Sequence, residues 1–131
     1  GRAHAWDAPA IHLDAVVQLP PECEVLATNA ATEVQALEIR HAGGVFWGVQ
    51  YHPEFSLAEL AVILRRYREP LLADRFFLSE EEHARFVEEL AELGRDPARR
   101  DLAWRYGIGE DILRADRRLT EIANFMARAL D

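Results

Sequence analysis

A chain of 131 residues, half of them hydrophobic, has room for one domain or part of one and for a modest core. Its net charge of −8, with arginines interleaved among acids, argues against a phosphate-backbone partner, so nucleic acid is not expected. No apolar run reaches the length that spans a bilayer, no signal-type start is present, and a single cysteine allows no disulfide framework; a cytoplasmic protein without a membrane partner is expected.

The first half of the chain reads as strands. Ala15-Val16-Val17-Gln18-Leu19 predicts a strand that ends at Pro20-Pro21, Cys23 to Ala27 a second, and Val34 to His41 a third whose alternation buries one face more fully than the other. Gly43-Gly44 then turns the chain into a hairpin. The next run, Val45, Phe46, Trp47, Val49 and Tyr51, offers apolar groups to both faces, as a central strand with both sides covered would. Pro53 has no amide hydrogen and must leave the ladder, so His52 and Glu54 fall at the strand's carboxyl end, where ligands of open α/β sheets collect.

After Ser56 the period becomes helical. Ser56 and Glu59 form a capping box for a helix with Leu57, Leu60, Ala61, Leu64 and Tyr67 on one stripe; it ends before Pro70 and is expected to cover the sheet. Ser79 with Glu82 repeats the signature, and Phe86, Val87, Leu90 and Leu93 line a helix that stops at Gly94. Asp96-Pro97 starts a shorter helix that Trp104 and Tyr106 anchor before Gly107, and Asp116 caps a last one with Leu119, Ile122, Phe125 or Met126, and Ala129 on its stripe. These helices make an appendage read as packing rather than as a docking surface.

The run Gly48-Val49-Gln50-Tyr51-His52-Pro53-Glu54 resembles the end of the class I, triad-type glutamine amidotransferase domain, of the stand-alone kind seen with GMP synthase. The resemblance extends back through Ile11-His12-Leu13-Asp14, Leu26-Ala27-Thr28-Asn29 and Val34-Gln35-Ala36-Leu37, and forward to the helix of Phe55 to Tyr67, about the first half of the chain. It implies an α/β fold: residues 1–68 as the C-terminal part of a flavodoxin-like amidotransferase domain, a mixed sheet with flanking helices, and residues 69–131 as a helical C-terminal extension. It further implies that His52 is the base and Glu54 the orienting acid of a Cys-His-Glu triad hydrolysing glutamine, with Leu13 and Asp14 near the substrate through backbone contacts. The nucleophile of that family sits at a glycine-flanked elbow upstream of everything seen here. The implied partners are glutamine as substrate, a synthase or acceptor subunit for the ammonia, and the missing N-terminal half of the same domain; no cofactor is implied.

Cys23 lacks the small neighbours an elbow needs, and Glu22 and Glu24 disfavour its thiolate, so it reads as an ordinary strand-edge cysteine. His4, His41 and His83 have no second ligand at metal spacing, and no metal is expected. Arg99-Arg100 and Arg117-Arg118 lie beside aspartates and read as ion-paired helix faces. Two alternatives stay open: a hydrolase of γ-glutamyl peptides or amides with the same triad, and a catalytically silent module that kept the fold.

Overall fold

The computed structural model describes residues 4–129, so the outermost positions of both expected regions lie outside the described residues. Three strands, β1 (Cys23–Ala27), β2 (Ala36–His41) and β3 (Gly44–Val49), form an antiparallel sheet in the order β1-β2-β3. Among the described residues seven helices follow: α1 (Leu57–Arg66), α2 (Arg68–Ala73), α3 (Glu80–Arg95), α4 (Arg100–Tyr106), α5 (Glu110–Leu113), α6 (Ala115–Arg118) and α7 (Thr120–Ala129). The α/β class expected from the sequence is what the chain adopts.

The strand expected at Ala15 to Leu19 does not form. Val17 stands 94% exposed, and the segment runs irregularly into Pro20-Pro21 with no neighbour to complete a ladder. The β2–β3 turn also shifts by one residue: His41 pairs with Gly44, so Ala42 and Gly43 form the two-residue loop, both at positive φ, 49° and 80°. That is the geometry a tight hairpin with right-handed strand twist requires, and Ala42 adopts it despite its Cβ.

Position in the sheet differs from the sequence reading as well. β2, not β3, is the middle strand, and residues 34–38 are buried on both faces, including Gln35 and Glu38. β3 is an edge of this sheet, with Phe46 59% exposed. One face of the hairpin lies under α7, where the Phe125 ring meets Trp47 at 5.4 Å and Arg128 reaches Glu38 at 3.1 Å.

The main apolar cluster lies between helices. Leu57, Leu60 and Ala61 of α1 pack with Val87, Leu90 and Leu93 of α3 and Leu102 and Ala103 of α4, so α1 turns its stripe to α3 and α4 rather than to the sheet. The Ser56–Glu59 capping box is present in both directions. Tyr67, placed on that stripe by periodicity, is half exposed, and Pro70 sits inside α2, where the first-turn amide it lacks would have no helical partner.

Gly94 does not stop α3, which continues to Arg95. It makes room for α1 instead: a Cβ there would lie 2.9 Å from the Ala58 amide nitrogen. Asp96 accepts from the Ala98 amide at 3.1 Å, capping a turn, and α4 begins only at Arg100. Trp104 is 79% exposed and anchors nothing, whereas Tyr106 packs edge-on to Phe86 at 4.8 Å and donates to Glu89. The single last helix expected after Asp116 is broken into α6 and α7, with Asp116 paired to Arg114 at 2.8 Å instead of capping.

Candidate functional site

The candidate site is built at the point where β3 leaves its ladder. Tyr51 is buried, forms an isolated antiparallel bridge with Ala10, and meets the Trp6 ring edge-on at 6.2 Å. The next amide, that of His52, donates to the Pro9 carbonyl at 2.7 Å. Pro53 then ends any pairing, and the Phe55 amide closes a tight turn on the His52 carbonyl at 3.2 Å. The backbone of His52 is thus held on both sides before its side chain makes any contact.

That side chain meets Glu54, two residues on. Nδ1 of His52 lies 2.7 Å from Oε1 of Glu54. An ionised carboxylate only accepts, so Nδ1 carries the hydrogen and donates it; in the neutral imidazole Nε2 is left with its lone pair. His52 is 33% and Glu54 50% exposed. A pair this wet adds little to stability, so its consequence is to choose the tautomer and the ring orientation. The imidazole also lies face to face with Phe55, ring centres 4.4 Å apart and planes 15° from parallel.

The resemblance places Phe55 at the start of the helix, but the residue precedes the Ser56 cap and packs against the helical cluster that contains Leu60. Its signal is present in the sequence: an apolar residue just before a capping box commonly staples to the fourth helical residue.

Leu13 and Asp14 occupy the irregular segment that follows Ala10, the bridge partner of Tyr51; the bridge is antiparallel, so the chain leaves Ala10 in the sense opposite to that in which it leaves Tyr51 for His52. Leu13 is 94% exposed, and the Asp14 carbonyl accepts from Nδ1 of His12 at 2.9 Å. Cys23 sits at the opposite end: it pairs with Ile39, which pairs with Phe46, roughly 15 Å or more of strand away from His52.

A hollow beside Tyr51 lies away from the His52–Glu54 pair. A cavity of about 650 Å³ opens between the N-terminal segment, the end of β1 and the α4–α5 loop, lined among others by Trp6, Asp7, Asn29, Tyr51 and Tyr106, but by neither His52 nor Glu54. Among the described residues, no three His, Cys, Asp or Glu side chains converge on a position that could hold a metal ion, and no helix is long and apolar enough to cross a membrane. His83 is buried in α3 and binds the Leu64 carbonyl at 2.9 Å, a packing role. Arg99 pairs with Asp101 and Glu92, and its guanidinium holds the Asp101 carboxyl down to about 2; Arg117 reaches Glu110 at 3.1 Å.

Residues 6–66, just under half of the chain, match the family model described as glutamine amidotransferase class-I. The chain is 40% identical over 85 residues to a γ-glutamyl-L-1-hydroxyisopropylamide hydrolase from a Pseudomonas species, a match covering 63% of this chain and 28% of that protein. It is 44% identical over 53 residues to a glutamine-hydrolysing GMP synthase subunit from Methanothermobacter thermautotrophicus, covering 40% of this chain and 26% of that one. The corresponding subunit of Ignicoccus hospitalis is 38% identical over 55 residues, covering 42% and 27%. The chain therefore spans about a quarter of the length of the curated relatives it matches. No solved structure matches it. A stretch holding 63% of the chain extends past Arg66 wherever it begins, so the likeness to the hydrolase enters the helices that follow α1.

Proposed function

We propose, from the match of residues 6–66 to the class-I glutamine amidotransferase family, that the parent protein hydrolyses a γ-glutamyl amide bond, with His52 as general base and Glu54 as its orienting acid. The observation that carries this reading is the 2.7 Å contact from His52 Nδ1 to Glu54 Oε1, which leaves Nε2 free to accept a proton. A cysteine thiol attacks the carboxamide carbon as Nε2 takes its proton; the imidazolium returns that proton to the departing amine, and water hydrolyses the thioester to release glutamate. The place of Cys23 at the far end of the sheet supports a nucleophile supplied from outside residues 1–131. In this reading Leu13 and Asp14 meet the substrate through their backbone.

With glutamine as substrate the departing amine is ammonia, and a synthase subunit would receive it, as the names of the two GMP synthase subunits suggest. Ammonia release from glutamine by the full-length protein tests the assignment. His52→Ala should lower it by about a thousandfold or more, the scale at which triad members act. Release at the wild-type rate would remove His52 from the mechanism.

The second reading is hydrolysis of γ-glutamyl conjugates of larger amines. The longer match to the Pseudomonas hydrolase, which runs into the helical region, favours it. Comparing kcat/KM for glutamine and for γ-glutamyl alkylamides decides between them, since a site built for an organic amine prefers the alkylamide. A catalytically silent parent would show neither activity and would carry a residue other than cysteine at the upstream elbow.

A further inference from the structure

We propose that Phe55 is a positioning residue for His52: its ring holds the plane of the imidazole so that Nε2 stays aimed at the nucleophile, and through it the helical core sets the geometry of the pair. The proposal rests on the reading of His52 as the base.

A single hydrogen bond at Nδ1 restrains the torsion about Cβ–Cγ, which sets the ring plane, only while that bond holds. Both partners are partly exposed, so water competes for that bond and the ring would sample several orientations. The face contact with Phe55, 4.4 Å between centres and 15° from parallel, opposes that rotation. A flat surface is needed for this, because a branched aliphatic group of similar volume contacts the imidazole without fixing its plane.

Phe55 can act as a stop only because it is itself held. It occupies the position before the Ser56 cap, where an apolar side chain staples to the first turns of the helix, and it packs against the cluster of Leu57, Leu60 and Leu93 with α3 and α4 behind. Its amide is bonded to the His52 carbonyl, so backbone and ring move together. The helices beyond α1 thereby gain a consequence for the site without touching the reacting atoms.

The test uses the full-length protein with glutamine and a γ-glutamyl anilide as probes, and the variants Phe55→Leu, Phe55→Tyr and His52→Ala. Phe55→Leu preserves the staple and should lower kcat by about tenfold or more, with KM and the thermal midpoint little changed, as expected for a misaimed base. Phe55→Tyr keeps the flat face and should restore kcat to within about threefold of wild type. In the proton spectrum the His52 ring resonances should lie upfield in wild type and in Phe55→Tyr, from the aromatic face above them, and lose that displacement in Phe55→Leu. Phe55→Met replaces the leucine variant if the latter does not fold. Wild-type kcat in Phe55→Leu, or a Tyr variant as slow as Leu, overturns the positioning role while inactive His52→Ala leaves the base intact. An active His52→Ala overturns both.

Discussion

Trp47 donates its indole N–H to the buried carboxylate of Glu38 at 2.6 Å, straight across the β2–β3 ladder. Arg40 on the same strand and Arg128 from α7 add to it at 2.6 and 3.1 Å, so a carboxylate only 3% exposed joins the hairpin to the last helix. These donors, the indole first, hold the Glu38 carboxyl below its ordinary value of 4.5 even though burial opposes them. A carboxyl depressed in this way binds fewer protons folded than unfolded. It therefore adds stability above its unfolded pKa and loses that contribution as pH falls through the folded one. Glu38→Gln should lower the thermal midpoint most at neutral pH, and the gap to wild type should narrow as pH drops below 4.5. An equal gap at both ends of a pH series would show the contact to be steric rather than ionic.

Gly94→Ala sets two effects against each other. Alanine gains up to about 1 kcal/mol of helix propensity over glycine in a helix interior. Its Cβ, however, would meet the backbone nitrogen of Ala58 at 2.9 Å and Leu57 Cβ at 3.2 Å, atoms that cannot swing aside as a side-chain tip could. Overpacking of this kind costs roughly 1–3 kcal/mol, so the net result should be destabilisation, read as a lower urea midpoint at unchanged slope. A stabilised variant would mean that α1 and α3 are not held at the observed spacing.

Much of this is legible in the sequence because it depends on neighbours along the chain. The Ser56–Glu59 box, the contact between His52 and Glu54 two residues on, and the end of α4 before Gly107 are local features, and the structure has all three. What the sequence misplaces needs a partner from elsewhere. Val16 and Val17 have strand propensity but no strand beside them, and the apolar faces of β3 point to a central position that β2 holds instead. Trp104 is apolar and exposed, a combination periodicity cannot detect. Likewise the His52–Phe55 stack joins a strand end to a helix start across a turn that neither hydrophobic period describes.

Leu93→Ala and Leu102→Ala probe the helical cluster. Both side chains are at most 2% exposed and sit where α1, α3 and α4 converge. Each truncation should cost about 2–5 kcal/mol, the range set by how far a cavity can collapse. Chemical denaturation of the two single variants and the double one adds a further reading. Side chains sharing one cluster should be non-additive, whereas strict additivity would place them in separate packing units.

Glu54→Gln isolates the orienting step from the base. Glutamine keeps the length of the side chain and can still reach Nδ1, but its amide can donate as well as accept, so it no longer obliges Nδ1 to carry the proton. The tautomer with hydrogen on Nε2 then becomes populated, and in that form the imidazole cannot accept the thiol proton. The carboxylate that would balance the imidazolium is also gone. In the full-length protein, kcat should fall by roughly a hundredfold or more while KM changes little, because Glu54 contacts the base and not the substrate. Thermal stability should hardly move, since a pair exposed by a third and a half contributes little to folding. A large loss of stability with kcat preserved would reverse the assignment and make Glu54 a structural tie rather than the acid that aims His52.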